Sequence, residues 1–194
     1  FYTQADYAAI VAYAAAHHVM IVPEIDMPSH TNAALAAYAE LNCDGVARAP
    51  YTGTAVGFSS LCVDKEITYR FVDDVLAELA ALTPGPYLHI GGDEAQSTAA
   101  DDYARFMTRV QELVARHGKV AVGWEELGRV AMRPGSLLQE WNLTPAAIAN
   151  TLAAARHGAQ VILSPASKTY IDMKYDATTP LGLKWAGLIS VEES

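Results

Sequence analysis

An α/β chain whose parallel strands form an incomplete (β/α)8 TIM barrel, with about five of the eight βα units, is what three features of the sequence predict. Short apolar runs alternate with stretches of helical periodicity, the pattern of βα units and a parallel sheet. The polar and aromatic residues of chemical interest fall at the C-terminal ends of successive runs, and a barrel gathers such residues at one mouth where an open sheet spreads them along an edge. The third feature is length: 194 residues fall short of the roughly 250 of a closed eight-stranded barrel. A single partial barrel domain over residues 1–194 is therefore expected, with flanking strands lying outside it at both ends.

Residues 3–18 carry the first helical pattern, with Thr3 as N-cap, Asp6 in the first turn, and Tyr7, Ile10, Val11 and Ala14 spaced for one buried face. Residues 19–25 are almost wholly apolar and predict a strand covered on both sides, running into Glu24, Asp26, Pro28, Ser29 and His30. A helix over 31–41 follows. Asp64 is the expected cap of the next helix, in which Ile67, Phe71, Val75 and Leu79 repeat every four residues until residues 83–86, Thr-Pro-Gly-Pro, stop it. Then come a strand over 87–90, a helix over 99–117 closed by Gly118, and strands over 119–124 and 136–141. Thr144 and Pro145 open a helix that ends at His157 with Gly158 beyond it, and 160–164 is the last strand.

Composition narrows the function. Thirteen basic against 22 acidic residues give a formal charge of -9, which disfavours nucleic acid and anionic membrane surfaces as partners and suits a neutral substrate. No apolar run approaches the roughly 20 residues of a membrane span. Cys43 and Cys62, the two cysteines, flank a loop rich in Gly, Thr, Ser and Tyr. A disulfide there would restrain the loop by about 3 kcal/mol and imply an oxidising, extracellular compartment; the alternative is two buried thiols. Two cysteines with no histidine cluster make a poor metal site.

The chemistry centres on residues 89–94, His-Ile-Gly-Gly-Asp-Glu. Neighbouring side chains of a regular strand point to opposite faces, so Asp93 and Glu94 can converge on one ligand only where the strand breaks. Gly91 and Gly92 permit that break and a close approach by substrate. Two carboxyl groups forced together split their titration, giving one acid and one anion, the minimum for cleaving a glycosidic bond. The other acidic pairs, Asp73-Asp74, Asp101-Asp102 and Glu125-Glu126, are expected on solvated faces or in loops. His17, His18, His117 and His157 sit near helix ends and read as structural; His89 lies within its strand.

Three segments together carry a resemblance: 22–30 (Val-Pro-Glu-Ile-Asp-Met-Pro-Ser-His), 89–94, and 170–175 (Tyr-Ile-Asp-Met-Lys-Tyr). They resemble glycoside hydrolase family 20, the β-N-acetylhexosaminidases, over nearly the whole chain. The resemblance implies an exo-acting retaining hydrolase that removes terminal β-linked GlcNAc or GalNAc, from chitin oligosaccharides or glycans, through an oxazolinium-type intermediate, with no cofactor and no metal. Glu94 is then the general acid and base, and Asp93 the anion that steadies the acetamido group. Tyr170 orients the acetamido oxygen, Trp124 and Trp141 wall its pocket, Trp185 lies nearer the rim, and Asp172 binds a sugar hydroxyl. Asp26 and His30 stand behind Glu94 and tune it; the plainer alternative is that His30 only caps the following helix. The family carries Gly where this chain has Ser29, so Ser29 is expected to avoid positive φ or accept strain. The family's sugar-gripping arginine, an aspartate that partners the histidine, and a late Trp and Glu have no counterpart in this chain, so the 194-residue piece alone is expected to be inactive and poorly stable. The rival readings are a non-catalytic N-acetylhexosamine-binding barrel and a conventional two-carboxylate glycosidase.

Overall fold

The computed structural model describes residues 2–192 and 194. Helices α1 (Gln4–Ala16), α2 (Asn32–Ala37) and α3 (Glu66–Leu82) precede the first strand, β1 (Tyr87–His89). Helix α4 (Ala100–Arg116) then leads to β2 (Val120–Trp124), a 3-10 turn at Glu125–Arg129 leads to β3 (Leu137–Glu140), and α5 (Pro145–Arg156) leads to β4 (Gln160–Leu163) and α6 (Ala166–Thr169). The strands lie side by side in chain order, β1-β2-β3-β4, and every neighbouring pair is parallel. With helices packed on one side, this is part of a (β/α) barrel, and every strand delivers its C-terminal end to the same rim.

Local chemistry explains the well-predicted elements. Thr3 and Asp6 form a reciprocal capping box at the start of α1. Thr144 caps α5, with Pro145 at its first turn, where a missing N–H costs nothing. Helix α4 buries Tyr103, Phe106, Met107, Val110, Leu113 and Val114, spaced at three and four residues so that they form one apolar stripe. That stripe meets Leu88 and Ile90 of the first strand region, Ala121 of β2, and Tyr69, Val72 and Leu76 of α3, and together they form the core.

Several expectations are corrected. Residues 19–25 run beside β1 but share only one bridge with it, Glu24 to His89, held by His89 N–H to Pro23 O and Ile25 N–H to His89 O. Pro23 has no N–H to extend the ladder, and Val19, Met20, Val22 and Ile25 are exposed rather than covered. The helix expected over 31–41 is broken at Tyr38, whose extended backbone separates α2 from a 3-10 turn at Ala39–Leu41. Asp64 does not cap α3. Lys65 occupies that position, and Asp64 pairs with Arg105 of α4 at 2.5 Å. The row Ile67, Phe71, Val75 and Leu79 is half-buried, because a four-residue repeat drifts around a helix of 3.6 residues per turn and Thr68, Tyr69, Val72 and Leu76 hold the centre of the buried face.

Cys43 and Cys62 are joined as a disulfide. It ties the loop to the buried segment 61–63, where Cys62 N–H donates to Leu41 O and Leu61 N–H to Pro28 O.

Both sheet edges carry exposed apolar side chains: Val19, Met20, Val22 and Ile25 at one, and Ile162 and Leu163 at the other, Leu163 at 73% exposure. Unpaired strand edges with apolar faces invite association and lower cooperativity. The isolated 194-residue chain is therefore expected to bind a hydrophobic dye and to unfold over a broad temperature range. A sharp transition in a monomer that binds no dye contradicts this.

Candidate active site

The C-terminal end of β1 opens at two glycines, each fixed by what lies against it. Gly91 has φ +64, and a Cβ there would fall 1.8 Å from Asp26 Oδ1 and 2.6 Å from Asp26 Cα. Gly92 has φ +104, and a Cβ would meet the Tyr103 hydroxyl at 2.9 Å, the same hydroxyl that donates to Gly92 O. Asp26 and Tyr103 take up close approaches that the two glycines allow. Gly92 N–H donates to Asp26 Oδ1 at 3.0 Å, which joins the segment after residue 25 to the end of β1.

Glu94 then takes φ 51. A left-handed backbone crowds the Cβ of any residue but glycine and costs about 1–3 kcal/mol. The turn sends the Asp93 and Glu94 side chains to one side. Both reach the same atom: His30 Nε2 lies 3.0 Å from Glu94 Oε2 and 3.3 Å from Asp93 Oδ2, with Asp26 Oδ2 at 3.8 Å. His30 itself has φ 57, while Ser29 before it is fully buried outside the left-handed region. Ser29 therefore avoids positive φ as expected, and its Oγ donates to Glu94 O at 3.1 Å. His30 is more than a helix cap, since its ring gathers the carboxylates.

Three acids lie within reach of one imidazole. Burial, the negative charge of Asp93 and a shared hydrogen bond with it push the Asp26 carboxyl up to about 9. A protonated Asp26 is a donor to the Asp93 carboxylate, while the buried Asp93 Oδ1 receives no amide, hydroxyl or backbone donor among the described residues.

The adjacent acidic pair overturns an expectation. Glu125 and Glu126, anticipated on solvated surface, are 2% and 6% exposed in the turn after β2. Glu125 accepts from Asn150 Nδ2 at 3.0 Å. Glu126 accepts from Trp141 Nε1 at 3.2 Å and from the Glu94 backbone N–H at 3.5 Å, and burial together with the Glu125 charge raises its carboxyl to about 7. The signal for this pair was its place directly after a strand that ends in Trp124, where a chain turning at the rim stays under cover. Asp73-Asp74 and Asp101-Asp102 do lie on helix surfaces, Asp73 bound to Arg116 and His117.

The aromatic residues divide into two groups. Trp141, Trp185 and Tyr170 form an edge-to-face cluster, with ring centroids 5.9 Å apart for the tryptophan pair and 5.4 Å for Tyr170 and Trp185. Trp124 belongs to another contact, packed on His89 at 5.0 Å, with its Nε1 donating to Glu24 Oε1 at 2.9 Å. Burial and the charges of Asp93, Glu24, Asp172 and Glu126 hold the Tyr170 phenol up to about 12, so it remains a donor at neutral pH. Asp172 itself is exposed, on the loop after α6. His89 is buried, accepts from Gly91 N–H at Nδ1, and is lowered by burial to about 4, so its ring is neutral. His17, His117 and His157 terminate α1, α4 and α5 as expected.

The acids thus stand at the strand C-termini of a partial (β/α) barrel, gathered on one imidazole beside an aromatic cluster, where barrels of this class carry their active sites. The family model for "Glycosyl hydrolase family 20, catalytic domain" matches residues 1–194, and the chain belongs to that family. It is 46% identical over 194 residues to a beta-N-acetylhexosaminidase of Cellulomonas fimi, covering 100% of this chain and 39% of that one. It superposes with TM-score 0.97 and 62% identity on the GH20 beta-N-acetylhexosaminidase of Streptomyces coelicolor A3(2), covering 100% of this chain and 40% of the other. With the same TM-score and coverage, and 60% identity, it matches a mutant Streptomyces plicatus beta-hexosaminidase in complex with product (GlcNAc). The chain thus spans about 40% of the length of each of these relatives.

The Asp26 proton makes stability depend on pH with a definite sign. The folded state holds this proton up to about 9, the unfolded state only up to about 3.9, so the Asp26 contribution falls as pH rises between those values. Asp26→Asn keeps the donor without the titration. The melting temperature of the variant relative to the wild type should therefore climb from pH 5 to pH 8; a flat difference contradicts the raised Asp26 carboxyl.

Proposed function

We propose that this chain supplies the catalytic acid and the acetamido site of an exo-acting, retaining β-N-acetylhexosaminidase that works by substrate assistance. The observation that carries the reading is the convergence of Asp93 and Glu94 on His30 Nε2 at the barrel rim. A regular strand could not place two neighbouring carboxylates together, and the fold accepts a left-handed glutamate to do so.

In this reading the carbonyl oxygen of the substrate's 2-acetamido group forms a bond to the anomeric carbon as the bond to the leaving oxygen breaks. Glu94 gives its proton to that oxygen. The resulting oxazolinium carries positive charge at its nitrogen, where the Asp93 carboxylate meets the N–H and balances the charge. Tyr170, a phenol that keeps its proton, donates to the acetamido oxygen and aims it. Trp124 and Trp141 supply apolar walls for the acetamido methyl, Trp185 the rim, and Asp172 a sugar hydroxyl contact. Water then opens the ring, giving up a proton to Glu94, and the product leaves with its configuration retained.

Terminal N-acetylhexosamine is the substrate class, as the GlcNAc held by the Streptomyces plicatus relative suggests, and the disulfide fits an extracellular protein. The acid is tested in a protein as long as those relatives. Glu94→Gln should lower kcat by about 10²–10⁴-fold on an alkyl N-acetylglucosaminide with little change in substrate affinity. Asp93→Asn should cost about 10²–10³-fold. Full activity in either variant contradicts the assignment.

A further inference from the structure

The catalytic glutamate is held through its main chain as well as its carboxyl group. Its N–H meets Glu126 Oε1 at 3.5 Å, and its carbonyl receives the Ser29 hydroxyl at 3.1 Å and the Gln96 N–H at 2.8 Å. A glutamate with φ 51 does not stay in that conformation unless its surroundings over-determine it, and these are the groups that do so. The second oxygen of Glu126 receives Trp141 Nε1–H at 3.2 Å. One buried side chain, 6% exposed, therefore links the backbone of the acid to the ring that the proposed function places against the acetamido group.

We infer that Glu126 is a positioning residue: its carboxylate sets the acid of residue 94 and the indole of Trp141 in one frame, with Ser29 holding the carbonyl of that same residue, on the next peptide unit. This rests on the function proposed above. The chemistry of the link requires a carboxylate, because both groups that meet Glu126 are donors and only a side chain with two acceptor oxygens serves both. Glutamine has the same shape but one acceptor, so one of the two donors faces an NH2. Ser29 belongs to the same device. Its hydroxyl reaches the carbonyl of the acid itself.

The test compares two leaving groups in the full-length protein. An alkyl N-acetylglucosaminide needs a well-placed proton from residue 94, whereas a dinitrophenyl N-acetylglucosaminide leaves with little need of one. If Glu126 places the acid, Glu126→Gln lowers kcat/KM on the alkyl substrate by about 10- to 100-fold, the range expected of a displacement of about 1 Å. On the dinitrophenyl substrate it lowers kcat/KM several-fold less, and the remaining loss appears as a higher KM from the loosened Trp141. Ser29→Ala, which leaves Trp141 untouched, should show the leaving-group dependence without the rise in KM. Equal losses on both substrates, or none, overturn the inference, since a merely structural role does not distinguish leaving groups. Should Glu126→Gln fail to fold, Ser29→Ala decides by the same comparison. Glu94→Gln is run beside them: if it stays active on the alkyl substrate, the proposed function fails, and if it is inactive while both positioning variants are unimpaired, this inference alone fails.

Discussion

The imidazole of His30 is the point on which the site depends. Its Nε2 stands within 3.3 Å of both Asp93 and Glu94, and among the described residues no other basic group pairs with both carboxylates. Placing it there takes two left-handed residues, His30 at φ 57 and Glu94 at φ 51, in two segments that the Gly92 to Asp26 hydrogen bond and the Ser29 to Glu94 hydrogen bond draw together. The core beneath supplies the rigidity. Ile90, Met107 and Leu127 are fully buried under the rim, so the strained turn sits on packing that leaves it little room to relax.

Charge sets the second constraint. Asp26, Asp93, Glu94, Glu24 and Glu126 crowd one rim of a chain whose net charge is already -9, and such a cluster is tolerable because protons and indole N–H groups offset it. Asp26 holds a proton to about 9, while Trp124 and Trp141 each donate to a glutamate. The tryptophans therefore do two things at once, offering apolar faces and donating hydrogen bonds to the carboxyl groups of Glu24 and Glu126, of which Glu126 is buried.

Much of this was legible in the sequence because the signals were local. Gly91-Gly92 followed by two acids announced a strand end, Thr3 and Thr144 announced helix starts, and Cys43 and Cys62 bracketing a weakly patterned loop announced a disulfide. The features that escaped were those decided by distant neighbours. Glu125-Glu126 looks like any solvated pair until the turn after β2 is seen tucked beneath Trp141 and Asn150. The apolar run over 19–25 reads as a buried strand, yet the ladder that would make it one is cut at Pro23, and Val19, Met20, Val22 and Ile25 are uncovered. The α3 face was displaced for a geometrical reason, since a four-residue repeat and a helical turn do not coincide, and tertiary contacts with α4 selected the neighbouring row.

The central claim is that the substrate's amide is the nucleophile and that Asp93 steadies it while Glu94 moves the proton. Successive fluorination of the acetamido methyl group weakens the carbonyl oxygen as a nucleophile without altering the sugar ring. Measured on the full-length protein with one fixed leaving group, kcat/KM should fall steeply with each fluorine added. A rate that is indifferent to fluorination, or brisk cleavage of a plain β-glucoside with no acetamido group at all, would mean that a protein carboxylate makes the attack and that the substrate does not assist its own cleavage.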